Sequence, residues 1–232
     1  MKDLLKESFI LKESNCVIIS DTIEGIQAAK ESIKQNRHKL EEYIKTNPKF
    51  LHALKPVPIP SKPLVAKLMA EAAEKANVGP IAAVAGVLAD LAVKAMLRAG
   101  CKVAVVENGG EISAVSNAPI DVAVAVGDTP LSKRFGFRLT EFPIGIATSS
   151  GRFSHALSFG DADAATVFCR DAGLADAAAT AVCNVVKGEN YQVAIQAGIN
   201  RALSIQGVEG VLIIYREFTG TAGKLPQIIK IN

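Results

Sequence analysis

Tryptophan is absent from this chain, and aromatic residues make up only 5% of it. A stacking platform for single-stranded nucleic acid normally needs more aromatic surface than that. A dense basic stripe is also missing. Residues 1–62 hold 11 Lys/Arg against 8 Asp/Glu, and residues 63–232 hold 15 of each. The signs alternate along the first part as on a solvated helix face, so no nucleic-acid partner is expected. The four cysteines (Cys16, Cys101, Cys169, Cys183) include no CxxC pair, which argues against a structural zinc site. Long apolar runs are scarce. The longest, Ile81 to Leu97, is broken by Asp90 and Lys94 and is short for a bilayer span. The opening Met-Lys-Asp-Leu-Leu-Lys-Glu is charged and has no apolar leader core. A cytoplasmic chain with reduced thiols and no membrane partner is the expectation.

What is present is Ala, Val and a 232-residue length, enough to bury one large core without disulfides. The fold class read from the pattern is α/β of the α+β kind, a twisted mixed sheet with packed helices, in two related halves. One domain, 1–232, is expected, with an N-terminal hairpin, helix and Pro-rich strap over 1–62 and a core over 63–232. Phe9–Leu11 and Cys16–Ile19 read as a hairpin around Glu13-Ser14-Asn15. Asp21 or Thr22 then caps a helix that ends before Pro48. Pro56, Pro58, Pro60 and Pro63 make a stiff extended strap. Helices follow over 64–76 and 81–99, the second apolar around most of its circumference and therefore central. Strand candidates are 103–106, 112–115, 122–126, 135–139, 144–147 and 166–168. Helices over 171–186 and 191–205 come next, with strands over 208–215 and 228–231 closing the sheet. Ala85-Gly86-Val87-Leu88-Ala89-Asp90 is echoed by Ala172-Gly173-Leu174-Ala175-Asp176 with one residue fewer. Such an echo fits either a duplicated unit or coincidence in an Ala-rich chain.

Three segments could carry chemistry for a small-molecule ligand. Asp176 and Thr180 are four apart and share a helix face with Cys183 and Asn184. A carboxylate beside a hydroxyl suits a hard cation such as Mg²⁺ with ligand phosphates; the bland alternative is a local cap and a back-bonded hydroxyl. Thr148-Ser149-Ser150-Gly151 follows an apolar strand, where small residues let backbone N–H groups approach an anion, or simply form a polar turn. His155 lies just beyond, as an acid, a base, a phosphate partner or a structural residue. Asn108-Gly109-Gly110-Glu111 reads as a turn needing positive φ, which also exposes backbone to a ligand. Neither a Rossmann nor a P-loop spacing is present.

In order along the chain, Gly79-Pro80-Ile81-Ala82-Ala83-Val84-Ala85-Gly86, Glu107-Asn108-Gly109-Gly110-Glu111, Ala147-Thr148-Ser149-Ser150-Gly151 and Asp176-Ala177-Ala178-Ala179-Thr180 resemble the ApbE superfamily of flavin transferases. The likeness is closest to its short prokaryotic branch, uncharacterised protein family 0280, and there covers essentially the whole chain; to the true transferases it covers roughly 64–186. The resemblance implies FAD or a related nucleotide, Mg²⁺, transfer of FMN to a Thr or Ser hydroxyl of a target protein, and a homodimer. It assigns Asp176 and Thr180 to metal binding, with His155 a further catalytic candidate. Gly109, Gly110 and Glu111 match a Gly-Gly-Asp turn beside the flavin, with Glu for Asp. Thr148, Ser149 and Gly151 match a Thr-Ser-Gly segment, and Asn108 and Ser150 adjoin these cofactor-binding positions. Two family features are missing. Val84 and Ala85 precede Gly86 where the family carries Lys, and no His-Ile-x-Asp-Pro-x-x-Gly motif lies between Gly151 and Asp176, where Asp161 and Asp163 offer other carboxylates. Two alternatives remain open: a thiol-based sulfur-mobilisation protein for cysteine or homocysteine synthesis using Cys169 or Cys183, and a non-catalytic ligand-binding protein.

Overall fold

The computed structural model describes residues 4–123, 135–151 and 160–230. The chain opens with the hairpin β1 (Leu5–Leu11) and β2 (Ser14–Ser20). Its reversal falls on Lys12-Glu13, with Lys12 at φ 53°, not on Glu13-Ser14-Asn15. Ser14, Cys16, Ile18 and Ser20 all turn inward, and that period of two fixes pairing from Ser14 onward. Helix α1 (Ile23–Thr46) starts where Thr22 Oγ1 accepts from the Gly25 N–H at 3.1 Å. Asp21 does other work: its carboxylate accepts from the backbone N–H groups of Lys102 and Val103.

A short helix not anticipated from sequence, α2 (Pro48–His52), begins with Pro at the first position, which lacks the N–H that would go unpaired there. The proline strap leads into α3 (Leu64–Ala76). A 3-10 turn at Pro80–Ala83 then feeds α4 (Val84–Arg98). Next come β3 (Val103–Asn108), β4 (Glu111–Ser116), β5 (Ile120–Ala123), β6 (Phe135–Leu139), β7 (Ile144–Ser149) and β8 (Ala164–Cys169). Of the strand expected over 122–126, residues 124–126 lie outside the described residues. Helices α5 (Ala172–Cys183) and α6 (Tyr191–Leu203) precede β9 (Val208–Tyr215), β10 (Phe218–Gly223) and β11 (Gln227–Lys230).

The α+β class holds. Among the described residues every strand pairing is antiparallel, so the sheet is not of mixed direction. The order of the large sheet is β1-β2-β3-β4-β7-β8-β9-β10, and a second sheet is β11-β6-β5. The C-terminal strand therefore joins the small sheet instead of closing the large one. Alternation along the strands separates three layers. Cys16, Ile18, Ala104 and Val106 meet α1 and α4, while Ala147, Ala165 and Val167 meet the helical layer containing α3, α5 and α6. Val103, Val105, Ile112, Ile146 and Phe168 face the small sheet and its Phe137 and Leu139.

Helix α5 is the buried centre: every residue in it except Asp176 is buried. Its alanines let β7, β8, α3, α4 and α6 all close on it. The stretch Pro80–Arg98 is long and apolar enough to cross a membrane, yet 61% of it is buried inside the fold, as befits a core helix.

The echoed segments meet face to face. Asp90 of α4 accepts from the backbone N–H groups of Ala172 (3.0 Å) and Gly173 (2.9 Å), the first residues of α5. Asp176 of α5 accepts from the Gly86 N–H at the start of α4, at 3.0 Å. Gly86 is obligatory, because a Cβ there would lie 2.1 Å from the Ala172 carbonyl oxygen. Gly145 of β7 is equally constrained beneath the Ala172 N–H, at 2.2 Å.

Replacing Asp90 with Ala orphans the two helix N–H groups and the Ser113 hydroxyl that donates to the same carboxylate at 2.7 Å. We expect a loss of about 2–5 kcal/mol in urea unfolding. Asp121→Ala, which removes an exposed ion pair with Arg138, should cost far less. Equal losses for the two variants would show that the helix exchange contributes little.

Candidate functional site

Strand register carries two of the predicted segments to one end of the sheet. Asn108 pairs with Glu111 across the Gly109-Gly110 turn, whose residues adopt φ 73° and 119°. Ile112 pairs with Ile146, so Glu111 lies alongside Ala147 and the end of β7. Above that end sits the start of α4, joined to the middle of α5 by the Gly86 N–H that donates to Asp176, while the start of α5 lies further back, over Gly145 at the beginning of β7.

Alternation then sorts the side chains. Asn108, Glu111, Ser113 and Ser149 lie on the helix face of the sheet. Asn108 Nδ2 donates to the Ala85 carbonyl at 3.1 Å, and its Oδ1 accepts from Cys16 Sγ. Thr148 and Ser149 belong to β7 rather than to a turn. Thr148 turns the other way and bonds Thr166 on β8 at 2.9 Å between hydroxyl oxygens. Ser149 is 94% buried on the α5 side, and its Oγ has no hydrogen-bond partner among the described residues. A buried hydroxyl left unpaired is costly and calls for an explanation. Thr180, one turn beyond Asp176, is also buried. Ser150 and Gly151 continue from β7 to the edge of the described segment, where Gly151 N–H donates to the Ala162 carbonyl.

The charges here are all negative. Burial pushes Glu111 up to about 7, with Glu107 adding repulsion. Burial and the Glu111 charge push Asp176 well above the ordinary carboxylate range, against the pull of the Gly86 and Ala85 backbone donors. Burial likewise raises Asp90. No Lys or Arg occurs in 107–111, 148–151 or 176–180. Among the described residues no group of three or more His, Cys, Asp or Glu could hold a metal ion by themselves.

Other sequence candidates fall elsewhere. His155 lies outside the described residues. Asp163 accepts from the Arg216 N–H in the β9–β10 turn, and Asp161 from the Gly188 N–H, at 3.4 Å, in the segment before α6. All four thiols are buried. Burial raises Cys169 far above the ordinary thiol range and raises Cys16 to about 11, so neither is poised as a thiolate. Cys183, also buried, continues the Asp176 face. Sequence reasoning missed Asp90 and Ser113. The echo containing Asp90 was the available signal, but nothing in it says that each half binds the other.

Comparison with known proteins identifies the family and the fold. A family model described as "AbpE bacteria" matches residues 7–206. The chain is 39% identical over 233 residues to a UPF0280 protein of Methanococcus vannielii, covering 98% of this chain and 94% of that one. It is 36% identical to one of Methanocaldococcus jannaschii over 230 residues, covering 97% and 93%. Among solved structures, the apo flavinyl transferase ApbE of Pseudomonas stutzeri is similar with a TM-score of 0.63 at 14% identity, over 95% of this chain and 94% of that one. The ApbE protein of Thermotoga maritima is similar with a TM-score of 0.57 at 14% identity, over 99% and 97%.

A carboxyl whose folded pKa lies above its unfolded value holds its proton more tightly in the folded chain. Its stabilising effect is complete below the unfolded pKa and is lost as pH rises through the folded one. For Glu111 that window runs from 4.5 to about 7. Thermal and urea unfolding should therefore show a decline toward neutral pH, by at most about 3 kcal/mol from this group. Glu111→Gln should flatten the decline; an unchanged pH profile in that variant would remove Glu111 as its source.

Proposed function

Because the chain belongs to the ApbE-like family that includes the UPF0280 proteins, we propose that it binds a flavin nucleotide, FAD or a relative, at the helix-face end of the large sheet, with Mg²⁺ as counter-ion. The observation that carries this reading is the buried Ser149 hydroxyl, without a hydrogen-bond partner among the described residues, on the same sheet face as Glu111, whose charge acts on Asp176. Burial favours the protonated forms of Glu111 and Asp176, and a cation is what would make their ionised forms favourable. Hard oxygen donors are what Mg²⁺ takes, usually one or two carboxylates with the rest from water and phosphate. Asp176, Thr180 and Ser149 would hold it. Bound there, Mg²⁺ supplies neutralisation of a pyrophosphate.

The chain's own residues do the remaining work. Asp176 holds the start of α4 through Gly86, so ligand-binding and helix-fixing capacity reside in one carboxylate with about four acceptor sites. The Gly109-Gly110 turn brings backbone close to a ligand, and a Cβ built on Gly110 meets nothing within 4 Å. Asn108 anchors that turn to α4 through the Ala85 carbonyl. Phosphoryl or flavin transfer to a hydroxyl is the reaction class this arrangement would serve. Ala85, where the family carries Lys, leaves the pocket one cation short and makes the metal the main counter-charge. Homodimerisation accompanies the proposal as a property the resemblance implies, and a cytoplasmic setting as one the charged opening and unpaired cysteines suggest.

Calorimetric titration of FAD, FMN and ADP with and without Mg²⁺ tests it. FAD should bind at micromolar Kd in a Mg²⁺-dependent manner. Asp176→Asn, whose amide oxygen can still accept from Gly86, should fold and weaken that binding at least about tenfold, or ~1.4 kcal/mol. No binding of any of the three to folded protein would overturn the reading.

A further inference from the structure

A cavity of about 800 Å³ lies at the other end of the sheet, between the two sheets. It is lined where β7 begins, at Ile144, and the candidate site lies where β7 ends, at Ser149; five strand steps separate these by roughly 17 Å. The volume falls within the range typical of small-molecule sites. Phe142, Phe168 and Leu225 give it an apolar wall.

Four charged residues line it, and they divide into two kinds. Lys224 and Glu141 form an ion pair with each other. Arg170 and Glu209 form no hydrogen bond or ion pair through their side chains among the described residues, although Arg170 directly follows β8 and Glu209 lies on the neighbouring β9. Their placement follows from the register. Cys169 pairs with Val208, and the ladder shifts between Phe168 and Cys169, where the partners are Gly210 and Val208. Glu209 is the extra residue of that bulge, a device that re-aims a side chain. Cys169 and Val208 both face the helical core, so Arg170 and Glu209, one residue further along each strand, turn to the opposite face and line the cavity. They line the one cavity from either side of the Cys169–Val208 pair, so a small head group can meet both.

We infer that this cavity is a second ligand site, specific for a small zwitterion with an apolar body, of the α-amino-acid class. The Arg170 guanidinium matches a carboxylate in its planar two-point geometry. The Glu209 carboxylate accepts from an ammonium. The apolar body lies on Phe142, Phe168 and Leu225. Each charge of such a ligand meets an unpaired opposite charge. A purely anionic or purely cationic ligand would leave one of the two residues beside a like or unanswered charge. This inference does not rest on the flavin-nucleotide reading, since no residue is shared between the two sites.

Full-length protein is titrated with L-phenylalanine, 3-phenylpropanoate and 2-phenylethylamine, monitored by calorimetry and by NMR shifts. L-Phenylalanine should bind at millimolar Kd or tighter, and each analogue, lacking one charge, should bind at least about tenfold more weakly. Arg170→Ala and Glu209→Gln, both exposed positions, should each weaken L-phenylalanine at least about tenfold. Asp176→Asn should leave it unchanged, which separates this site from the flavin-nucleotide proposal. Absence of L-phenylalanine binding at about 10 mM, equal binding of 3-phenylpropanoate, or indifference to both variants would overturn the inference.

Discussion

Two aspartates exchanged between two helices hold this fold together. The first N–H groups of a helix have no partner within it, and burying them unpaired is costly. Helix α5 starts inside the protein. Its Ala172 and Gly173 N–H groups go to Asp90, and its Leu174 N–H goes to its own cap, Asp171. Helix α4 starts against α5, and its Gly86 N–H goes to Asp176. Each carboxylate also sits at the positive end of the other helix's dipole. The exchange demands a close crossing, which Gly86 permits, and a sheet strand that passes beneath it, which Gly145 permits.

That crossing determines where the candidate site lies. Asp176 is held at the start of α4, over the Asn108–Glu111 turn and the end of β7. Asn108 ties the turn to the same place through the Ala85 carbonyl. Ser113, one residue pair away on the same sheet face, completes the shell of Asp90. The result is several carboxyls in a poorly hydrated corner, at least two of them raised by burial. Asp90 has three donors to offset its burial. Among the described residues Glu111 has no comparable set of donors, and the Ser149 hydroxyl has no partner. The corner is satisfied around Asp90 and less so around Glu111 and Ser149, and it is that second half that is suited to a ligand.

Much of the fold was legible because the signals were local. Pro80, Gly100 and Pro48 mark helix ends, and the Thr22 cap was readable from its position before an apolar-periodic run. β6 and β9 fall at the residues their apolar runs indicate. Pairing partners were not legible. β10, with its Thr-Gly-Thr-Ala-Gly run, has weak strand propensity and is a strand because β9 offers it a ladder. β11 belongs to the small sheet for a similar non-local reason. In the site, the three segments that converge were readable as segments, since each carries small or polar residues at an element end. The direction each side chain faces was not. Thr148 and Ser149 look equivalent in sequence, yet the strand pleat gives one to Thr166 and the other to α5.

The two readings of Asp176 that the sequence left open are not rivals in the structure. A local cap would confine the carboxylate to its own helix, and a dedicated metal ligand would leave it without structural partners. Asp176 instead bonds a different helix, 90 positions earlier in the chain. That bond fixes the carboxylate without a cation, and burial with the neighbouring Glu111 keeps it from ionising cheaply. A carboxyl so placed is pre-oriented, short of positive charge, and coupled to the crossing of the two central helices. A cation taken up there would act on the same group that joins α4 to α5, so ligand binding and core stability must be linked through Asp176.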